Sequence, residues 1–329
     1  MHVHSRFFTL FLALAVLAAA CSGGASSSPE VGSTSTSLPE SVDSASPDAP
    51  EPDEPAVSIT AEPEPLVDLE WLDDPGNEYL LVDARSPVAY EGGHIPDARN
   101  VPAAAFNDRS DAVPYQLGGA ETASGILAQS GIGPSDTVVL YDNDGSLFAA
   151  RAYFALTYYS HGDIRILDGG LATWITDDRP VDTGPPAVVA PVEYPVAAVR
   201  DDLRLELPDV ADALDAGVTT FADARTAAEY DGTLSFDTEF NGHIPGAGNV
   251  DHAETIGTDG RFLPIADLQE LFTTAGIGPE TTVVTYCLVG ARAAHAWFVL
   301  SELLGYPSVA LYDGSWTEYG NTPGVEVET

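Results

Sequence analysis

Cys287 is the residue of this chain best placed to act as a nucleophile. It follows the run Thr282-Val283-Val284-Thr285-Tyr286 and precedes the loop Leu288-Val289-Gly290-Ala291-Arg292. A short β-branched run, then a glycine-containing loop, then an apolar stretch of helical length reads as strand, turn and buried helix. That order puts the thiol at the carboxyl end of a strand and beside a helix N-terminus, where open α/β sheets bind ligands. Loop N–H groups can converge on the sulfur, the helix dipole adds partial positive charge, and Arg292 adds a full one. All three favour the thiolate, which is the reactive form. The plainer alternative is a small buried apolar residue, the usual state of a free cysteine. The loop glycine, the arginine and the strand-to-helix position favour the nucleophile.

Asp223 and Arg225 follow another apolar run, Thr220–Ala222, as Asp83 and Arg85 follow Tyr79–Val82. They are expected to brace the loop as carboxylate–guanidinium pairs rather than to touch substrate. His295, on the helix after the loop, could help lower the thiol pKa, although a packed helix histidine is the simpler expectation. His94 and His243 sit in matching Gly-His-Ile-Pro turns and read as structural, because only one of the two turns accompanies a cysteine. Phe236 and Phe240 could wall the pocket. No His/Asp/Glu spacing suggests a metal site, and no cofactor is expected.

The elements that must hold these residues occur twice. Leu81-Val82-Asp83-Ala84-Arg85 and Gly93-His94-Ile95-Pro96 recur as Phe221-Ala222-Asp223-Ala224-Arg225 and Gly242-His243-Ile244-Pro245. Gly131-Ile132-Gly133-Pro134 recurs as Gly276-Ile277-Gly278-Pro279, and Leu167-Asp168-Gly169 as Tyr312-Asp313-Gly314. The second copy has extra residues at about Thr233 to Asn241. A period this long means duplicated domains, not a solenoid. In each copy short apolar runs alternate with helical stretches, which implies an α/β fold with a parallel sheet covered on both faces. The runs are Tyr79–Val82, Thr137–Tyr141 and Ile164–Leu167, then Thr220–Ala222, Thr282–Tyr286 and Val309–Tyr312. A buried helix is expected from Ala293 to Leu304, closed by Gly305.

The paired Asp-Ala-Arg and Gly-His-Ile-Pro segments, with a Cys-x-x-Gly-x-Arg loop in the second copy alone, resemble the two-domain rhodanese family of sulfurtransferases. The resemblance covers roughly residues 67–329. It implies two tandem rhodanese-like domains, each a parallel sheet flanked by helices. The first, 67–182, would be inactive and the second, 206–329, catalytic, with 183–205 as linker. Asp142, which holds the place of Cys287, fits an inactive first copy, since a carboxylate cannot carry sulfane sulfur. The resemblance also implies the chemistry. The Cys287 thiolate takes the outer sulfur of a small anionic donor such as thiosulfate and releases sulfite. A thiophilic acceptor (cyanide in an assay, a thiol in a cell) then takes the sulfur from the persulfide. Leu288, Val289, Gly290, Ala291 and Arg292 would bind the substrate. Related phosphatases have one more residue between Cys and Arg; the tighter loop here fits sulfur transfer. Three departures bear on the donor. Leu288 and Val289 are apolar where thiosulfate-type members often carry a basic residue after the Cys, and Glu229 stands where some members place an Arg. The alternatives to thiosulfate are 3-mercaptopyruvate as donor, or a non-catalytic sulfur-carrier or binding module.

Ahead of the domains, residues 7–20 form an apolar run behind Arg6, as in a signal peptide 1–20, and Cys21 follows small residues as in a bacterial lipobox. Two acyl chains on Cys21 would anchor the protein outside the cytoplasm; simple secretion is the alternative. Residues 21–66 are rich in Ser, Pro and acidic groups and read as a disordered tether. No apolar run is long enough for a transmembrane helix, so the membrane is met through the lipid alone.

Charge sets the outer bounds. There are 51 Asp+Glu against 12 Lys+Arg, every one of the latter an Arg, for a net charge of −39. Nucleic acid is excluded as a partner, because it requires basic patches. Nine acidic residues lie within 22–66 and the rest cover the domains. The same field opposes an approaching dianion, so catalysis would depend on local positive potential.

Overall fold

The computed structural model describes residues Glu64 to Thr329 except Ala197. Cys21, the apolar run before it and most of the acidic segment lie outside the described residues.

Two five-stranded sheets, all parallel, are built to one plan. In the first, β1 (Leu66–Val67), β2 (Leu80–Asp83), β3 (Arg99–Asn100), β4 (Thr137–Tyr141) and β5 (Asp163–Leu167) lie in the order β1-β5-β4-β2-β3. In the second, β6 (Arg204–Leu205), β7 (Thr219–Asp223), β8 (Gly248–Asn249), β9 (Thr282–Tyr286) and β10 (Val309–Tyr312) lie in the order β6-β10-β9-β7-β8. The long central strands are the apolar runs expected from sequence. Val138, Val139, Leu140 and Tyr141 are buried, as are Val283, Val284, Thr285 and Tyr286, since helices cover both faces. The two-residue edge strands carry no periodic signal and were not anticipated. One of them, β6, lies within the stretch expected to be linker.

Sheet register fixes where the chemistry-bearing ends fall. Asp83 pairs with Tyr141 and Asp223 with Tyr286, so each Asp-Ala-Arg turn and each following loop leave the same sheet edge side by side. In the second copy that edge carries Cys287.

The halves share a core. Helix Leu147–Tyr158, after the first loop, packs on helix Ala291–Phe298, after the second. Ala149, Ala150, Ala152, Ala293, Ala294 and Ala296 are buried and let the backbones approach. Phe154 meets Trp297 edge to face at 5.0 Å, and Tyr153 meets Phe298 at 4.8 Å. Backbone N–H groups are exchanged across the same face. Leu117 donates to Asp313 (2.6 Å) and Phe262 to Asp168 (3.0 Å), and these residues occupy matching places in the two copies.

The helix expected from Ala293 starts at Ala291, because Gly290 turns the chain into it at φ +86°. It widens into a π turn over Val299–Leu303 and ends at Gly305, whose φ of +65° suits the left-handed C-cap.

Candidate active site

Cys287 stands one residue beyond β9 and is fully buried. Its N–H donates to Ser315 Oγ (3.1 Å) and its carbonyl accepts from Trp316 N–H (2.8 Å). The Leu288 carbonyl accepts from the Thr317 hydroxyl at 2.7 Å. The turn after β10 thus anchors the loop from one side. Gly290 N–H donates to Cys287 Sγ at 3.1 Å, the direct loop contact that holds the sulfur. A Cβ on Gly290 would lie 2.6 Å from Asp313 Oδ1, so both its φ and its surroundings require glycine. Val289, Ala291 and Leu288 are half-buried, and Leu288 packs against the second sheet.

Ser315 escaped sequence reasoning. It is buried, adopts φ +53°, and its hydroxyl donates to the Tyr312 carbonyl while accepting from Cys287. The available signal was the replacement, in the second copy only, of Gly170 by a residue with a hydroxyl.

Arg292 does not stand as a free cation. Its two terminal nitrogens donate to the two carboxylate oxygens of Glu229, each at 2.7 Å. Glu229 is 3% exposed and also accepts from Thr226 N–H and Oγ. Burial works to raise its carboxyl, but the Arg292 and Thr226 contacts win and hold it below the usual carboxylate range. The expectation that Arg292 adds a full positive charge to the loop is corrected accordingly: the pair is close to neutral.

Asp223 and Arg225 are placed as expected. The carboxylate takes the Arg225 N–H at 3.0 Å and its side chain through Nε and Nη2, and Nη2 also donates to the Gly242 carbonyl at 2.7 Å. Arg225 lies over Trp316 at 4.5 Å. Asp83 and Arg85 repeat the pairing in the first half. Both pairs are buried and lock the turns. His94 and His243 stack on Tyr90 and Tyr230 at 3.6 Å in matching positions.

His295 is brought beside the loop but carries no charge there. Thr255 donates its hydroxyl proton to the His252 carbonyl, so it must accept from His295 Nε2 (2.7 Å). Nδ1 has no well-aligned hydrogen-bond partner, although the Ser146 backbone lies close to the ring. Burial, with His252 nearby, pushes the imidazole down to about 3. A neutral ring cannot lower the thiol pKa by charge, so that alternative falls and the packed histidine stands. Asp251 and His252, unremarked in the sequence, pair at 2.9 Å at the end of the following turn. Phe236 is half exposed, and Phe240 N–H pairs with the Gly320 carbonyl. Among the described residues, no group of three or more His, Cys, Asp or Glu is arranged to hold a metal. No described helix is long and apolar enough to cross a membrane.

The corresponding loop in the first half is filled from within. Asp142 takes the place of Cys287, and its carboxylate accepts four N–H groups: Asp144 (2.8 Å), Ser146 (3.0 Å), Phe148 (2.7 Å) and Ala149 (2.9 Å). Both loops place a left-handed glycine three residues past the site residue, Gly145 (φ +59°) and Gly290 (φ +86°), but the first adds Ser146 at φ +63° and starts its helix at Leu147, whereas the second enters its helix directly at Ala291.

The sequence profile of the rhodanese-like domain matches residues 68–177 and 206–322. The chain is 34% identical over 281 residues to the sulfur carrier protein TtuD of Thermus thermophilus, covering 81% of this chain and 97% of that one. It is 33% identical over 288 residues to a thiosulfate sulfurtransferase of Corynebacterium glutamicum, covering 84% and 94%. Among solved structures, YnjE superposes with a TM-score of 0.73 at 26% identity, over 80% of this chain and 68% of that one. An anaerobic ergothioneine biosynthesis enzyme of Chlorobium limicola shares the fold, with a TM-score of 0.71 at 24% identity over 80% and 70%.

Proposed function

The chain belongs to the rhodanese-like domain family, and from that premise we propose that it is a thiosulfate sulfurtransferase working through a persulfide on Cys287. The Cys287 thiolate attacks the outer sulfur of thiosulfate. A new S–S bond forms, the donor S–S bond breaks, and sulfite leaves with the electron pair. An acceptor, cyanide in an assay or a thiol in a cell, then attacks the terminal sulfur of the persulfide. Thiocyanate or a new persulfide departs and the thiolate returns. The two half-reactions make the kinetics ping-pong.

The observation that carries this reading is the Asp142 loop. Its carboxylate oxygens lie two bonds beyond Cβ, and four N–H groups converge on them. The terminal sulfur of a Cys287 persulfide is also an anionic atom two bonds beyond Cβ, in the corresponding loop of the second copy. The unpaired N–H groups that open the helix there belong to Ala291, Arg292 and Ala293, since the Ala294 N–H is taken by the Gly290 carbonyl, and a helix N-terminus favours negative charge. On this reading residues 67–182 form a non-catalytic copy whose cradle is permanently filled.

The test is sulfur transfer from thiosulfate to cyanide by the purified protein, with mass spectrometry after donor exposure. The protein should gain one sulfur atom and form thiocyanate, and Cys287→Ser should do neither. Equal activity in that variant would sink the assignment. A parallel assay with 3-mercaptopyruvate decides the donor. A second reading, as a sulfur carrier, is favoured by the neutralised Arg292 and by the similarity to a protein of that name. It predicts a stable persulfide that cyanide does not turn over. The proposal extends to location: the chain would act outside the cytoplasm on acyl chains at Cys21, and metabolic labelling with a fatty acid should fail in Cys21→Ala.

A further inference from the structure

Arg292 stays within electrostatic reach of Cys287, but Glu229 offsets much of its charge, which gives weight to any second cation behind the thiol. The buried carboxylate of Asp313 faces two guanidinium groups. Arg151 Nη2, from helix Leu147–Tyr158 of the first half, lies 2.8 Å from Oδ1, and Arg204 Nε, from β6, lies 3.3 Å from Oδ2. Two guanidinium groups thus share one carboxylate, and on its far side Arg204 also faces Glu206 and Glu318. Arg151 Nη2 also donates to the Tyr115 carbonyl at 3.0 Å, but its Nη1 is buried with no hydrogen-bond partner. That nitrogen would lie 3.1 Å from a Cβ on Gly290, the residue whose N–H holds Sγ. The ion cluster therefore backs onto the loop at its glycine.

Other charged groups stand around the loop, among them Glu206 and Glu318, which face Arg204 rather than the thiol. Asp223 is paired with Arg225 on the β7 side, and Glu229 with Arg292. Asp251 is bonded to His252, and Glu318 to the Tyr312 hydroxyl. His295 is neutral, as argued above.

We propose that Arg151, contributed by the half that lacks the cysteine, is a positioning residue for Cys287: through Asp313 it fixes Gly290, and its guanidinium stands behind the loop, favouring the thiolate and its persulfide. The proposal rests on Cys287 being the nucleophile. In a buried site, a charge a few ångströms away moves a thiol pKa by about one pH unit or more.

The experiment uses the full chain and follows the alkylation rate of Cys287 by iodoacetamide against pH, read on the Cys287 peptide by mass spectrometry. Arg151→Met should move the midpoint up by about one pH unit, and so slow alkylation roughly tenfold below it. Arg151→Lys should restore most of the loss. Asp313→Asn, which removes the negative member and keeps an oxygen for Leu117 N–H, should move the midpoint down. A merely structural cluster would give losses of the same sign, and that result, or unmoved midpoints in folded variants, overturns the proposal. If Arg151→Met does not fold, the sign for Asp313→Asn decides. Persulfide formation by the unsubstituted chain is scored separately. Its absence would sink the sulfurtransferase reading, whereas unmoved midpoints beside normal persulfide formation would sink only the role of Arg151.

Discussion

Arg292 and Glu229 meet as a two-pronged pair, both contacts at 2.7 Å, with the carboxylate nearly buried. A dianionic donor reaching this loop must compete with Glu229 for the guanidinium. Glu229→Gln keeps the shape and removes the rival charge. It should raise kcat/KM for thiosulfate about tenfold, roughly 1.4 kcal/mol, with the gain shrinking as salt rises. Unchanged or lower kcat/KM in a folded variant would show that Arg292 makes no productive contact with the donor.

Gly290→Ala should damage the site more than its size suggests. The new methyl meets Asp313 Oδ1 at 2.6 Å while the backbone is held at φ +86°. Loss of stability of about 1–3 kcal/mol is expected, together with loss of most sulfur transfer, because the Gly290 N–H can no longer hold Sγ. Urea unfolding and the cyanide assay measure the two effects; near-native values in both would contradict the geometry.

The buried His295 should make the fold acid-sensitive. Its folded pKa of about 3 lies below the ordinary 6.5, so the unfolded chain binds the proton first. Stability from this group is complete above pH 6.5 and drains away as pH falls toward 3, by on the order of 3–5 kcal/mol in total. His295→Gln can still donate to Thr255 and should flatten that part of the stability–pH curve. An equal slope in wild type and variant would argue against a neutral buried imidazole.

A net charge of −39 without lysine makes self-repulsion a standing cost. Raising salt from a few millimolar to about 0.1 M shortens the screening length to about 10 Å and should raise the thermal midpoint. Indifference to salt would mean that the acidic groups are too dispersed to matter.

The central strands, the duplication and the Cys287 loop are legible in the sequence because each is local: β-branched runs, a repeated Asp-Ala-Arg, a glycine between Cys and Arg. What escaped is relational. Glu229 is visible as a departure, but nothing along the chain says that it will reach Arg292, 63 residues away. Arg151 lies in the other half from Cys287, and only the packing of two alanine-rich helices brings it to Gly290. His295 could be read as charged or packed until Thr255 and burial fixed its state. The two-residue edge strands exist because a longer neighbour pairs with them, which no propensity records.

The exchange of Leu117 and Phe262 N–H groups with Asp313 and Asp168 is reciprocal, so the face between the halves is self-complementary. A single-copy ancestor carrying that face would close on its own twin as a two-fold dimer with two identical sites. Joined in one chain, the copies are free to differ: one carries a thiol, Cys287, and the other a carboxylate, Asp142. The shared face also makes the halves poor candidates for separate expression, since each would expose the apolar surface that the other covers.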